Sequence, residues 1–142
     1  MLTIWDVLAA IANRPVPDSV AAAIAGKADK SGSRIAKRVT TIVSEGTPTI
    51  NTDVCDAVTI TAQAAAITSM TTNLTGTPVN FDELVVRFLD DWTGRAITWG
   101  ASFLDKWVAL PTTTTASKLL TVKFIYDAVA AVWGCVSSVE ET

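Results

Sequence analysis

Histidine is absent from this sequence, cysteine occurs only twice, and no apolar run reaches the roughly 18 residues that a membrane span requires. Histidine is the side chain whose pKa lies closest to neutrality, so its absence excludes the common hydrolase triads. The first residues place no basic stretch ahead of an apolar run, which argues against a secretory signal. We therefore expect a soluble protein that is made and assembled in a cytoplasm.

The two cysteines, Cys55 and Cys135, are too few for a disulfide scaffold. A zinc site would need four ligands, which a chain without histidine does not readily supply. Buried free thiols are the first interpretation. A disulfide within or between subunits stays open as the alternative, because the first and last strands of a β-sandwich can be neighbours.

The charge is divided unevenly along the chain. Residues 1–40 carry six bases and three acids, a net charge of +3, whereas residues 41–142 carry five bases and eleven acids, a net charge of −6. This asymmetry indicates that the N-terminal segment faces an acidic partner. Nucleic acid is not the expected partner, because no aromatic residues that could stack on bases lie among the bases from Lys27 to Arg38.

The N-terminal segment has the pattern of two short helices separated by Pro15 and Pro17. Isolated helices shorter than about 12–15 residues are marginal in water, so each must pack on something. The first helix has no base on its polar face before Arg14, so we expect a protein surface rather than a membrane. The residues expected to anchor this arm are Ile4, Trp5, Val7, Leu8, Ile11, Val20 and Ile24.

β-Structure is predicted for the rest of the chain. Residues 27–47 have the composition of a linker that can continue through 39–43 as a strand. Further strands are predicted at 58–62, 83–89, 95–99, 118–126 and 132–136, with residues 90–94 as a hairpin loop between the second and third of these. No helix is long enough for a crossover. We therefore predict a mainly β protein: a helical arm and linker over 1–46, then an antiparallel, jelly-roll-like β-sandwich knob over 47–142.

The sequence predicts no catalytic residue, metal site or cofactor. The adjacent carboxylates at 82–83, 90–91 and 140–141 suit a glycosidase by number alone, but a strand entry, a hairpin loop and a solvated tail explain them better. Cys55 has neither a histidine nor a basic neighbour to lower its pKa, and it is a poor nucleophile. We expect the protein not to be an enzyme.

The five tryptophans divide into two groups. Trp99 and Trp133 lie in or at the end of apolar strands and are predicted to be in the core. Trp92 and Trp107 lie beside acids in loop-like surroundings. There an aromatic side chain either covers the core, is buried between subunits or is presented to a ligand such as a sugar. A subunit interface is the first interpretation for these two and sugar binding the second.

Several motifs together resemble a C-terminal domain that recurs in virion proteins of tailed bacteriophages. They are DAVTITA (56–62), LTGTP (74–78), RAITWG (95–100), LPTTT (110–114), FIYD (124–127) and WGC (133–135). The resemblance covers residues 49–138 and implies a β-sandwich module, commonly trimeric, of capsid decoration proteins, head fibres or tail fibres. The chain departs from the pattern at Trp92 and Trp107, which stand where small turn residues are expected, and at Val54-Cys55, which replaces a polar or aromatic pair.

The short arm favours a protein fixed directly to a shell over a receptor-binding fibre with a long shaft. We therefore expect a homotrimeric capsid decoration or head-fibre protein of the virion, anchored by its arm to the major capsid protein or another virion protein. The alternative is a short tail fibre or adsorption module that binds a host surface glycan.

Overall fold

The computed structural model describes residues 36–142 of the chain, and this part contains eight β-strands and no helix. The strands are β1 (Val39–Val43), β2 (Ile50–Asn51), β3 (Ala57–Gln63), β4 (Leu74–Thr75), β5 (Glu83–Asp90), β6 (Phe103–Leu104), β7 (Leu120–Asp127) and β8 (Val132–Glu140). The mainly β prediction is confirmed. The predicted helical arm lies outside the described residues, as do all seven of its anchoring side chains from Ile4 to Ile24.

The strands form two sheets, and the larger sheet is mixed rather than antiparallel. Its order is β1-β3-β5-β7-β8-β6, with β1–β3, β3–β5 and β6–β8 parallel and β5–β7 and β7–β8 antiparallel. The smaller sheet consists of β2 and β4, which are also parallel. The prediction of an antiparallel sandwich is therefore wrong in strand direction.

The parallel pairings have a simple physical origin. Parallel neighbours need a crossover of a dozen or more residues, which is usually a helix. Here 13 residues join β1 to β3 and 19 join β3 to β5, and each connection contains one strand of the smaller sheet. The chain thus alternates between the two sheets, and a short strand takes the place that a crossover helix would occupy.

The strand predicted at 39–43 is confirmed as β1, at one edge of the larger sheet. The compact unit spans Lys37–Thr142 and therefore includes β1, which the sequence division at residue 46 placed with the arm and linker. Ion pairs connect the start of this unit to Glu83, the first residue of β5, through Lys37, and to Asp56, the residue before β3, through Arg38.

Buried side chains alternate with more exposed ones over most of β3, and this alternation ends near its C-terminal end. Val58 and Ile60 are buried, as predicted, but Ala62 is exposed and Gln63 is buried in its place. The register shifts between Ile60 and Gln63, and Ala62 has a positive φ of 49°. The buried amide of Gln63 is satisfied: its Nε2 donates to the carbonyls of Glu45 and Ala65, and its Oε1 accepts from the backbone N–H of Glu45.

The predicted hairpin between β5 and residues 95–99 does not form. Both edges of β5 are already occupied, by β3 and by β7. Ile97 instead makes a single parallel bridge to Ile67, and Ala96 makes an antiparallel bridge to Thr113. β5 lies in the middle of the larger sheet, and β7 pairs with β8 in the antiparallel direction.

Trp99 is the centre of the aromatic core. Its ring centroid lies 5.6 Å from Phe88, 5.5 Å from Phe103 and 5.1 Å from Phe124. Its indole Nε1 donates to the carbonyl of Pro111 at 2.7 Å, so its one polar atom is paired. The core positions predicted for Trp99 and Trp133 are confirmed, since they are 5% and 3% exposed.

Within residues 36–142 the structure has no helix that is long and apolar enough to span a membrane.

Candidate functional site

A cleft beside Trp92, at the end of β5, combines apolar and polar side chains. Its volume is about 440 Å³, and it is lined by Thr61, Ala62, Leu89, Asp90, Asp91, Trp92 and Ser117. Thr61 and Ala62 come from the end of β3 and Leu89 from β5, whereas Ser117 comes from the loop before β7. This volume falls within the range of about 300–1,000 Å³ that is typical of small-molecule sites.

Trp92 is the most exposed aromatic side chain of the described residues, with 82% of its surface accessible. Its backbone has a positive φ of 75°, the left-handed region that bulky residues seldom adopt. This explains why the resemblance leads one to expect a small turn residue at this position. The side chain that replaces it points away from the core and is available for contact.

Asp90 holds both walls of the cleft. One of its carboxylate oxygens, Oδ1, accepts the backbone N–H of Trp92 at 3.0 Å and that of Ser117 at 2.9 Å. The other, Oδ2, accepts the hydroxyl of Thr114 at 2.9 Å, and the Thr114 hydroxyl oxygen in turn accepts the backbone N–H of Arg95. Asp90 is buried, so the sequence interpretation of residues 90–94 as a plain hairpin loop missed its role. The hydrogen bonds to Asp90 therefore fix the distance between the backbones of Trp92 and Ser117.

Asp91 is neutralised by Arg95. The Arg95 Nη2 donates to the two carboxylate oxygens of Asp91 at 2.7 and 2.8 Å, and Arg95 Nε donates to the carbonyl of Gln63. About a third of the Asp91 side chain stays accessible. At the rim of the cleft the Asp91 carboxylate can therefore accept a hydrogen bond, while its charge is paired with that of Arg95.

Backbone strain is concentrated at this cleft. Three of the six non-glycine residues with positive φ among residues 36–142 line it: Ala62, Trp92 and Ser117. Each such residue costs on the order of 1 kcal/mol and persists only where its surroundings enforce it. The hydrogen bonds of Asp90 enforce two of the three.

Trp107, the second exposed aromatic predicted for an interface or ligand, does not line this cleft. It is 60% exposed, and its ring lies against Gly134 of β8, where a Cβ atom would approach within 2.4 Å of it. Lys106 lies 5.6 Å from the centre of the Trp107 ring and pairs with Asp127. The structure thus does not bring the two tryptophans together, and it packs Trp107 against the sheet as a cover.

Both cysteines are free and buried thiols in the structure. Burial raises the pKa of Cys55 and of Cys135, which disfavours the nucleophilic thiolate. The Cys55 Sγ donates to the carbonyl of Asn51 at 3.1 Å. These thiols contribute packing rather than chemistry.

The adjacent carboxylates have structural partners. Asp82 accepts the backbone N–H of Val79 at 2.8 Å, and Glu140 accepts that of Thr115 at 3.1 Å. Glu83 lies between two cations, and the pKa of Glu83 is lowered first by its hydrogen bond from Lys123 and then by that from Lys37. Among residues 36–142 no group of three histidine, cysteine or acidic residues is placed to hold a metal ion.

A second, smaller cleft of about 250 Å³ lies where β1, β3 and β5 meet. It is lined by Lys37, Val39, Ala57, Val58, Thr59, Val85 and Arg87. Exposed valines continue along β1, where Val39 and Val43 alternate with inward-facing residues. This face of the sheet combines apolar side chains with the polar Thr59 and the cations Lys37 and Arg87.

No family model, curated protein or solved structure matches the chain.

Proposed function

We propose that the protein is a non-enzymatic structural component of a tailed-phage virion, a homotrimeric capsid decoration or head-fibre protein. The sequence resemblance over residues 49–138 supports this assignment. The structural observation that carries it is the accessible apolar surface of the β-unit, which includes Val39, Val43 and Leu89. Several exposed apolar side chains on one face of a sheet are typical of protein–protein contacts.

In this proposal the segment before Lys37 attaches the protein to the major capsid protein or another virion protein. The β-unit over residues 37–142 then faces outward and associates with its sister subunits as a β-sandwich module whose larger sheet is mixed. Two sheets that contribute to one core support the sandwich description, because Ile50 of β2 is buried in the same hydrophobic cluster as Val58 and Phe88 of the larger sheet.

A second candidate function is adsorption, in which the knob binds a host surface glycan as part of a short tail fibre. The observation that favours it is Trp92, whose backbone is hydrogen-bonded to Asp90 while its side chain is left exposed. An aromatic ring with one apolar face and a polar rim is suited to a sugar, whose C–H groups stack while its hydroxyls make hydrogen bonds.

The copy number of the protein in purified virions separates the two functions. Quantitative mass spectrometry against the major capsid protein gives hundreds of copies per particle for a shell protein and a handful for a tail protein. Absence from the particle would overturn both virion roles. Sedimentation equilibrium of the full chain tests the trimer, which a stable monomer at micromolar concentration would exclude.

A further inference from the structure

We infer that the cleft beside Trp92 is a binding subsite for one neutral saccharide ring, stacked on the Trp92 indole and hydrogen-bonded by Asp91 and Ser117. This deepens the second candidate function and rests on it for its biological role. Sugar binding itself is a property of the purified protein and can be measured without a virion.

The first argument is the arrangement of apolar and polar groups. The cleft is lined mainly by apolar surface, and its lining includes Trp92 and Leu89 together with the polar residues Thr61, Ser117 and Asp91. A pyranose ring has the same pattern, with C–H groups on its faces and hydroxyls around its edge. The negative face of an indole attracts the positively polarised C–H groups. A purely apolar protein segment would remove water from these polar side chains and offer them no further hydrogen bonds.

The second argument is pre-organisation. A loop that becomes ordered only when a ligand binds loses backbone freedom, at a cost to affinity. Here the backbone of Trp92 and that of Ser117 are fixed by the same carboxylate oxygen, at 3.0 and 2.9 Å. The two walls therefore stand at a set separation before any ligand arrives.

The third argument concerns charge and gives the specificity. No lysine or arginine lines the cleft, and its two carboxylates already have partners: Asp91 has the Arg95 ion pair, and Asp90 has three hydrogen bonds. An acidic sugar would meet carboxylates with no free cation in the lining. The site is therefore expected to take neutral rings and to reject uronic acids.

The test measures binding of full-length protein to four hexasaccharides by saturation-transfer NMR and calorimetry. Three are neutral: β-1,4-linked glucose, α-1,4-linked glucose and β-1,4-linked N-acetylglucosamine. The fourth, an α-1,4-linked galacturonic acid hexamer, is the acidic comparator. We expect at least one neutral hexamer to bind with a millimolar or tighter Kd and the galacturonate to bind more weakly.

Phe81→Ala is the matched control for Trp92→Ala. Phe81 is 76% exposed and has a positive φ of 71°, so both variants remove an exposed aromatic ring from a left-handed backbone position. Only Trp92 lines the cleft. Loss of one stacking partner is expected to raise the Kd about tenfold in Trp92→Ala. Trp92→Phe is expected to lose less, and Phe81→Ala is expected to leave the Kd unchanged.

The inference is overturned if no neutral hexamer binds, if the galacturonate binds more tightly, or if both alanine variants weaken binding equally. It is also overturned if Trp92→Ala, unlike Phe81→Ala, changes the subunit number while sugar binding is absent, because Trp92 would then be a subunit contact. Binding through Trp92 by a protein absent from virions would keep this inference and remove the virion role. Abundance in virions without any sugar binding would remove this inference and keep the virion role.

Discussion

Replacing Asp90 tests whether the loop around Trp92 is held by one carboxylate. Asp90→Ala removes three hydrogen bonds, from the backbone N–H groups of Trp92 and Ser117 and from the Thr114 hydroxyl. Hydrogen bonds to a charged group contribute about 1.5–3 kcal/mol each, and removing the buried charge offsets part of that loss. We expect the free energy of unfolding to fall by about 3 kcal/mol, a large fraction of the 5–15 kcal/mol that is usual for a domain.

Asp90→Asn separates the hydrogen bonds from the charge. Its amide oxygen can still accept from Trp92 and Ser117 while its NH₂ group faces the Thr114 hydroxyl, so a loss of only about 1 kcal/mol is expected. Asp91→Ala is the neighbouring control, because it breaks a partly exposed ion pair with Arg95 that should contribute about 1 kcal/mol or less.

Urea unfolding followed by far-ultraviolet circular dichroism measures these differences. With a slope of about 2 kcal/mol per molar urea, Asp90→Ala should lower the transition midpoint by about 1.5 M. Asp90→Asn and Asp91→Ala should each lower it by about 0.5 M or less. A midpoint for Asp90→Ala within 0.5 M of the parent protein, roughly 1 kcal/mol at this slope, would show that the carboxylate does not hold the loop.

Three further predictions concern strain, packing and pH. Trp92→Asn should raise the melting temperature by a few degrees in a thermal scan, because asparagine accepts positive φ at lower cost; an unchanged or lower value would contradict the strain assigned to this turn. Gly134→Ala should displace the Trp107 ring, which a Cβ would approach within 2.4 Å, and lower stability by about 1–2 kcal/mol. Acrylamide should then quench the tryptophan fluorescence of Gly134→Ala more strongly than that of the parent protein. Adding Trp107→Ala to Gly134→Ala should restore most of the lost stability. Quenching equal to that of the parent would show that Gly134 and Trp107 are not in contact. The pKa of Asp56 is lowered by its hydrogen bond from Arg38, and the pKa of Glu83 by those from Lys123 and Lys37. Because these folded-state pKa values lie below the unfolded ones, the stabilisation is present above the unfolded pKa values, at about pH 4, and is lost as pH falls through the folded values. Arg38→Gln should reduce that acid dependence in urea titrations between pH 2 and 6, whereas an identical pH profile would argue against the pair.

The strands that the sequence predicted well are those with strong local alternation. Leu84, Val86 and Phe88 of β5 all face inward, and Val122 and Phe124 do the same in β7. Alternation of apolar and polar side chains indicates that a segment is a strand with one buried face. It carries no information about the direction of the neighbouring strand, which is why β1, β3 and β5 were expected to be antiparallel.

The sequence predicted only some of the residues that form the cleft. Trp92 could be recognised as a loop aromatic because it lies between an acid and turn-forming residues. Thr114 and Ser117, the partners of Asp90, lie more than 20 residues away from it in sequence, so no local pattern indicates these contacts. An aspartate two residues before a turn residue is a local sign of a side-chain-to-backbone turn, and it was the one available signal for Asp90.

The alternation of the chain between two sheets bears on how the protein folds. The turn from β7 to β8 contains only residues 128–131, so this hairpin has the shortest loop to close of any neighbouring pair in the larger sheet. The pairs β1–β3 and β3–β5 bring together residues 18 and 28 positions apart, a higher contact order that slows their formation. Folding should therefore start at the C-terminal hairpin, and the β5–β7 pair, whose partners lie 32–42 positions apart, should be the slowest to form. A nascent chain could not complete its sheet until its last strands had left the ribosome.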